Sequence, residues 1–542
     1  MKNSFFIFII LAFFLKVNGQ NNAFEIKKSE LFKDDYINSH IVLAEKIHED
    51  QLLIVRSYKS DISVKKGFYI EKFDKSLNKI SDFDFEYDQP TYQKYSLFLG
   101  SFFNKSKVYL IEMSYDLKSK NYVCVTHIID ENYKVSKQEL FRLGKDEVKG
   151  FGLQNLFKNF NLSGNNLGLF EVEKNNRYNF VKGIISSKVS DNKSRSDVVF
   201  KINKTKTFFS IALTYSFEDK DITKLFLFDT DLNKQIEKEF SFEKNLVINK
   251  NVELHDSLAV IYLTQKVFSK ELQNKEIGGK YKYELSEISK GEIKTKIIDV
   301  ENHYLTSLTC FYYENKLYGI GFYSDNDDFK YSGIAYYEFD SKTLEIKNSK
   351  YSLFPQQFIL DKYGKLKDKE FKNIVINGFY KNANNDIFIH AEEAYRTVEI
   401  GDNSQVYQSF DDMILLSLTS SGDILTARNI NKKQRIISTE DSSFLSYSSF
   451  VVNDKNYLFI NAREKIKELS GERVEFVGAN VIGNASLYAV KVDINGRFDY
   501  KEVINSDNTE VSFMVSKGIK IDNSIFFLGR KGKKKQLLRV TF

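Results

Sequence analysis

The sequence reads as an all-β protein, a single β-propeller of about eight four-stranded antiparallel blades, with seven to nine compatible with the pattern. Three observations carry this expectation. Short runs rich in Phe, Tyr, Ile, Val and Leu follow one another from about residue 40 to the end, separated by polar turns, while long windows of helical periodicity are scarce. Two turn types recur in alternation, with unit starts spaced by about 40 to 70 residues. Finally, the 542 residues, 42% hydrophobic and 28% charged, exceed what one ordinary packed domain holds, leaving several domains or one repeat-built ring, and the repeat favours the ring.

One turn type carries Asp, Asn or Gly between two strands: FDKSLNKI (73–80), IDENYKV (129–135), FDTDLNKQI (228–236), FDSKTLEI (339–346), TSSGDIL (419–425) and VDINGRF (492–498). These residues bond their own backbone or accept positive φ, so each segment predicts a hairpin. The other type precedes a strongly apolar strand, as in HEDQ (48–51), NKSK (104–107), SGNN (163–166), NKTK (203–206), HDS (255–257), YENK (313–316), NANND (382–386), NDKN (453–456) and DN (522–523). The strands that follow, such as KVYLIEM (107–113) and NYLFINA (456–462), are apolar on both faces and belong in a stacked interior. Each unit thus reads strand A, short turn, strand B, variable loop, strand C, Asp/Gly turn, strand D. The unit around 163–195 is short and weakly marked. Helical patterning is confined to 140–160 and 362–371.

The final unit lacks a partner strand, and AFEIKKSELF (23–32) is expected to complete it, removing an exposed edge and tying down both ends. A membrane barrel, suggested by the alternation of Leu538, Val540 and Phe542, is disfavoured because most B strands are apolar on both faces instead of polar toward a lumen.

Residues 1–19 have the positive end, apolar core and small-residue cleavage pattern of a secretory signal peptide, leaving a β-propeller domain over 20–542. The residue after the cut is Gln20, not Cys, so a lipoprotein anchor is not expected. The expectation is an exported protein, periplasmic or extracellular, without a transmembrane segment and monomeric. Two cysteines, Cys124 and Cys310, are too few for a disulfide scaffold and read as buried free thiols. A net charge of +6 over so long a chain is too dilute for a nucleic-acid surface.

The segments HAEEAYR (390–396), SFDDMILLSLTSSGDILTARNINKKQ (409–434) and VVNDKNYLFINAREK (451–465) resemble the C-terminal part of uncharacterised exported β-propeller-like proteins of Bacteroidota. Such proteins usually carry an aromatic residue where this chain has Ala427. The resemblance implies export and fold, and no activity.

The sequence contains no phosphate-cradling Gly loop, HExxH helix, CxxC pair, EF-hand loop or GxSxG elbow. His48 and His255 fall in turns and are expected in solvent. The basic run RKGKKK (530–535) is expected at a solvated hairpin tip. In a meandering blade the A–B and C–D turns share one face, and the B–C loops and inter-blade segments share the other. The long connections 266–282, 323–333, 394–411, 463–486 and 355–371 should therefore crowd one face, where binding function tends to be placed. The candidate ligand-binding residues there are His390, Glu392, Tyr395, Arg396, Tyr407, Phe410, Asp411 and Asp412, which offer a histidine, carboxylates, aromatics and a cation.

No catalytic or metal residue is assigned. Ca²⁺ is the one cofactor considered, through oxygens in SDNDD (324–328) and FDD (410–412), although neither has the spacing of a calcium loop. The function expected is a non-catalytic binding or scaffold module for an envelope protein or glycan. The alternative is a carbohydrate-active hydrolase or lyase using Glu392, Asp411 and His390, which needs two carboxyls facing one cleft.

Overall fold

The computed structural model describes residues 24–542 except 60–65, 88–89, 154–195, 244–246, 269–280, 299, 301–302, 326–329, 367–370, 400–404, 438–439, 472 and 479–484. The expected signal peptide (1–19) and the turn at 163–166 lie outside the described residues.

The strands pair into eight antiparallel sheets, each ordered A-B-C-D: blade 1 (38–86), blade 2 (93–144), blade 3 (196–243), blade 4 (247–298), blade 5 (304–353), blade 6 (374–437), blade 7 (448–504) and blade 8 (512–541). The D strand of blade 8 is Glu25–Lys28, registered Glu25 to Thr541 and Lys28 to Leu538, so the chain's early and late segments share one blade as expected. Apolar clusters join every neighbouring pair of blades, including blade 8 to blade 1 through Ile41, Ile54, Phe526 and Leu537, and this closes the ring. B strands supply much of this interior. In blade 2, for example, Val108 through Ser114 are all buried. Leu538 and Val540 lie in the cluster between blades 7 and 8, part of a propeller junction.

Both turn types form where expected. In the A–B turns of blades 2, 5 and 7 the two central residues, Lys105–Ser106, Glu314–Asn315 and Asn453–Asp454, have positive φ, the hairpin geometry that matches strand twist. The Asp that opens a C–D turn accepts nearby backbone N–H groups, as Asp74 does from Ser76 and Asn78 and Asp229 from Asp231 and Asn233. The left-handed position is taken by Gly422 and Gly496 in blades 6 and 7, as expected, but by Leu77, Leu232 and Leu344 in blades 1, 3 and 5. A left-handed leucine costs about 1–2 kcal/mol, which burial of its side chain offsets. These leucines retain only 2%, 7% and 1% exposure and enter inter-blade clusters.

Four expectations are corrected. The helix lies at Gln356–Tyr363, mostly before the expected 362–371: Pro355, in extended backbone, is its N-cap, and Gly364 ends it in the left-handed region. The segment 394–411 is not a long loop: strands run to Glu399 and resume at Gln405. His255 is buried, receiving Ser257 N–H at 3.0 Å on Nδ1 and facing the Tyr312 hydroxyl at 2.6 Å. The 530–535 segment does form a hairpin, but Lys535 is buried and donates to the Gly532 carbonyl at 2.8 Å. Cys124 and Cys310 are free and buried. No helix among the described residues is long and apolar enough to cross a membrane.

Candidate functional site

Blade 6 departs from the other blades in strand length. Its B, C and D strands, Ile387–Glu399, Gln405–Leu418 and Ile424–Ile437, have 13, 14 and 14 residues, against ten in each of the corresponding strands of blade 3. The excess lies at the B–C end. Beyond it the D strand pairs in parallel with Val474–Val477, part of the blade-7 B–C connection, which in turn pairs with Lys467–Glu468. The helix Gln356–Tyr363 packs on the same D strand. Of the long connections expected to crowd this face, 355–371 and 463–486 therefore meet blade 6 through their described residues, whereas 394–411 is mostly strand.

A sheet raised beyond the disc has little apolar interior of its own. Val375, Ala394 and Phe410 form a small buried cluster with Ile436 and Leu445 against it. The rest of its base is polar and ion-paired. Lys432, with a fully buried side chain, donates to Glu392 Oε1 at 2.6 Å, the Phe410 carbonyl at 2.8 Å and Gln434 Oε1 at 3.2 Å. The second Glu392 oxygen accepts from Ser446 at 2.7 Å. Burial pushes the Glu392 carboxyl above its usual range, while Lys432 and Ser446 oppose that shift. Three directed bonds on the ammonium are what make such a buried charge tolerable.

A second set ties the helix to the sheet. Lys362 donates to Asp412 Oδ2 at 2.8 Å and also meets Glu393. Burial works against its charge, yet the two carboxylates hold its pKa above the ordinary lysine value. Asp412 takes further bonds from Asn429 Nδ2 at 2.9 Å and the Lys432 N–H at 3.2 Å. Asp361 receives Arg428 Nε at 2.6 Å and Gln357 at 2.7 Å, and Arg473 of the blade-7 connection donates to the Lys362 carbonyl at 3.1 Å.

The eight sequence candidates divide accordingly. His390, Glu392, Phe410 and Asp412 are buried. His390 faces Asn456 Oδ1 of blade 7 at 2.7 Å through Nε2, and its Nδ1 has no hydrogen-bond partner among the described residues. Burial lowers its pKa to about 4, so it is neutral at pH 7. Tyr395, Arg396, Tyr407 and Asp411 keep solvent contact. Tyr395 donates to Asp411 Oδ2 at 2.6 Å, and burial raises the Asp411 carboxyl. The guanidinium of Arg435, a residue the sequence reading did not single out, lies 3.8 Å from the centroid of the Tyr407 ring and pairs with Glu399 at 2.6 Å. The signal for Arg435 was the mixed strand NKKQRII, whose cations could be divided between base and rim only once the register was known.

Of the carboxylates considered for Ca²⁺, Asp411 accepts from Tyr395, Asp412 accepts from Lys362 and Asn429, and Asp325 faces His303 at 2.6 Å. Asp327 and Asp328 lie outside the described residues. Among the described residues no three His, Cys, Asp or Glu side chains converge on a metal position.

No protein-family model matches the chain, and no curated protein does. Among solved structures it is similar to the β-propeller domain of the trilobed protease from Pyrococcus furiosus, with 10% identity over 88% of this chain and 98% of that one, at a TM-score of 0.33. It is also similar to an acylaminoacyl peptidase in complex with Z-Gly-Gly-Phe-chloromethyl ketone, with 9% identity over 80% of this chain and 59% of that one, at a TM-score of 0.30. A third is the catalytic domain of a GH62 α-L-arabinofuranosidase from Coprinopsis cinerea, with 12% identity over 54% of this chain and 90% of that one, at a TM-score of 0.22. The propeller architecture stands on the pairing of the eight sheets and the clusters that join them into a ring.

Proposed function

We propose that this protein is an exported, non-catalytic propeller that binds a partner protein of the cell envelope through the raised end of blade 6. The observation that carries this reading is the three-stranded extension itself: a stiff ledge with an ion-paired base and a rim of Tyr395, Arg396, Tyr407 and Arg435. Tyrosine and arginine on a rigid support are the side chains that dominate protein interfaces, because they contribute large contact area and fixed donors at small entropic cost. The leader-like residues 1–19 and the resemblance to exported proteins support the compartment. The hydrolase alternative is the less supported, since His390 and Glu392 are enclosed and Glu392 is bound to Lys432.

The test is affinity capture from lightly crosslinked envelopes of the source organism, using the tagged chain from Gln20 onward. The expected result is a reproducible protein partner retained by the wild type and lost with the double variant Tyr407→Ala, Arg435→Ala. Retention by that variant, or recovery of the monomer alone, contradicts the proposal.

A further inference from the structure

At the opposite end of the ring, where the A–B turns lie, a cavity of about 600 Å³ is lined by residues 42–46 of the blade-1 A strand, residues 519–522 of blade 8, and Lys206 from the A–B turn of blade 3. In a closed ring blade 2 separates blades 1 and 3. An ion pair between Lys206 and Glu45 therefore crosses the inside of the ring, which places the cavity on the axial channel.

Its charges are unbalanced. Lys46, Lys206 and Lys520 face it along with the carboxylates of Glu45 and Asp522. Both carboxylates are already used, Glu45 by Lys206 and Asp522 by Lys46 at 3.2 Å. Lys520 has no carboxylate within ion-pair distance among the described residues. Its ammonium lies 4.4 Å from the centroid of the buried Phe450 ring of blade 7. Partial burial, and then the positive charge of Lys204 from blade 3, lower its pKa, in keeping with a cation that has no ion-paired carboxylate among the described residues. Lys204 itself lies 3.7 Å from the Tyr313 ring centroid on blade 5, so cations from blades 3 and 8 address the same mouth. The remaining lining is apolar and partly exposed, from Val42, Ile519 and Ile521.

We propose that this axial cavity binds a small organic oxyanion, a carboxylate or phosphate monoester, whose charge pairs with Lys520 while its apolar part rests on Val42, Ile519 and Ile521. The volume is in the range of small-molecule sites, and a fixed cation beside an apolar wall is what distinguishes such a ligand from both a free inorganic ion and a neutral molecule. The site lies on the face away from the blade-6 ledge and does not depend on the role given to that ledge.

The test is calorimetric titration of the full folded chain with hexanoate, hexyl phosphate and hexanol. At least one anion is expected to bind about tenfold or more tightly than hexanol, and the tighter of the two identifies the headgroup. Lys520→Gln is expected to weaken that anion about tenfold, Lys520→Arg to retain it, and Lys520→Glu to abolish it, with circular dichroism unchanged at this exposed position. Tyr407→Ala is expected to leave binding intact. Hexanol binding as well as both anions, absence of anion binding at about 10 mM, or an unchanged affinity in Lys520→Gln overturns the proposal.

Discussion

Blades 3 and 6 solve the same problem of layering four strands by different means. In blade 3 the strands stop near the edge of the disc and the interior is aromatic: Phe209 stacks on Phe228, and Phe226 lies 4.1 Å and 4° from Phe141 of blade 2, centroid to centroid. In blade 6 the strands continue past the disc, and ion pairs replace aromatics there: the fully buried Lys432 with Glu392, and the largely buried Lys362 with Asp412. Apolar burial is tolerant of small displacements, whereas a buried ion pair stabilises only when every bond is made. The ledge of blade 6 therefore holds one geometry at the expense of sensitivity to single substitutions, a property suited to presenting a rim of fixed side chains.

That contrast can be broken in descending steps. Lys432→Ala strands the Glu392 charge inside the sheet and is expected to cost about 4 kcal/mol by denaturant titration, whereas replacing both partners, Lys432→Met with Glu392→Leu, recovers most of it. If the double variant is as unstable as the single one, packing and not charge pairing holds the base. Phe226→Ala in blade 3 is expected to cost about 3 kcal/mol from lost burial and the cavity left behind, with no such rescue by any charge change.

The next effect is one of pH. An unfolded histidine takes up its proton near pH 6.5, but buried His390 does so only near 4. Between those values the unfolded chain binds more protons, so stability falls as pH drops through that window. His390→Gln should reduce this slope in denaturation midpoints compared between pH 7 and pH 5. It should not abolish it, because burial also lowers the pKa of His40, to about 3. An unchanged slope would remove His390 as a contributor. Arg435→Ala, at 41% side-chain exposure, is expected to change stability by no more than about 0.5 kcal/mol while still weakening partner capture, which separates the rim from the base.

Much of the ring was legible because its signals are local. The Asp turns at 74, 130, 229, 340 and 493 act within five residues, and the two-sided apolar B strands announce burial without any partner being known. Blade 4 was harder to read, since its C–D turn at 289–292 is SKGE and lacks the Asp signature. In blade 8 the A strand is split into Ser512–Phe513 and Ile519–Ile521. The candidate site was only half legible. Composition pointed to 390–412 as unusual, but Glu392 meets Lys432 and His390 meets Asn456 across 40 and 66 residues, contacts that exist only once register and blade order are set. Without them, charged residues in a long B–C segment read as a solvated loop, when they form the buried foot of a sheet.

The most direct test of this contrast is amide hydrogen exchange on the intact protein, followed separately over 392–396, 408–412 and 430–436 of blade 6 and over 209–215 and 224–228 of blade 3. The expected result is protection of the blade-6 extension comparable with that of the blade-3 interior, lost in Lys432→Ala while blade 3 stays protected. Rapid, loop-like exchange of the extension in the wild type, beside a protected blade 3, would contradict a rigid ledge on blade 6.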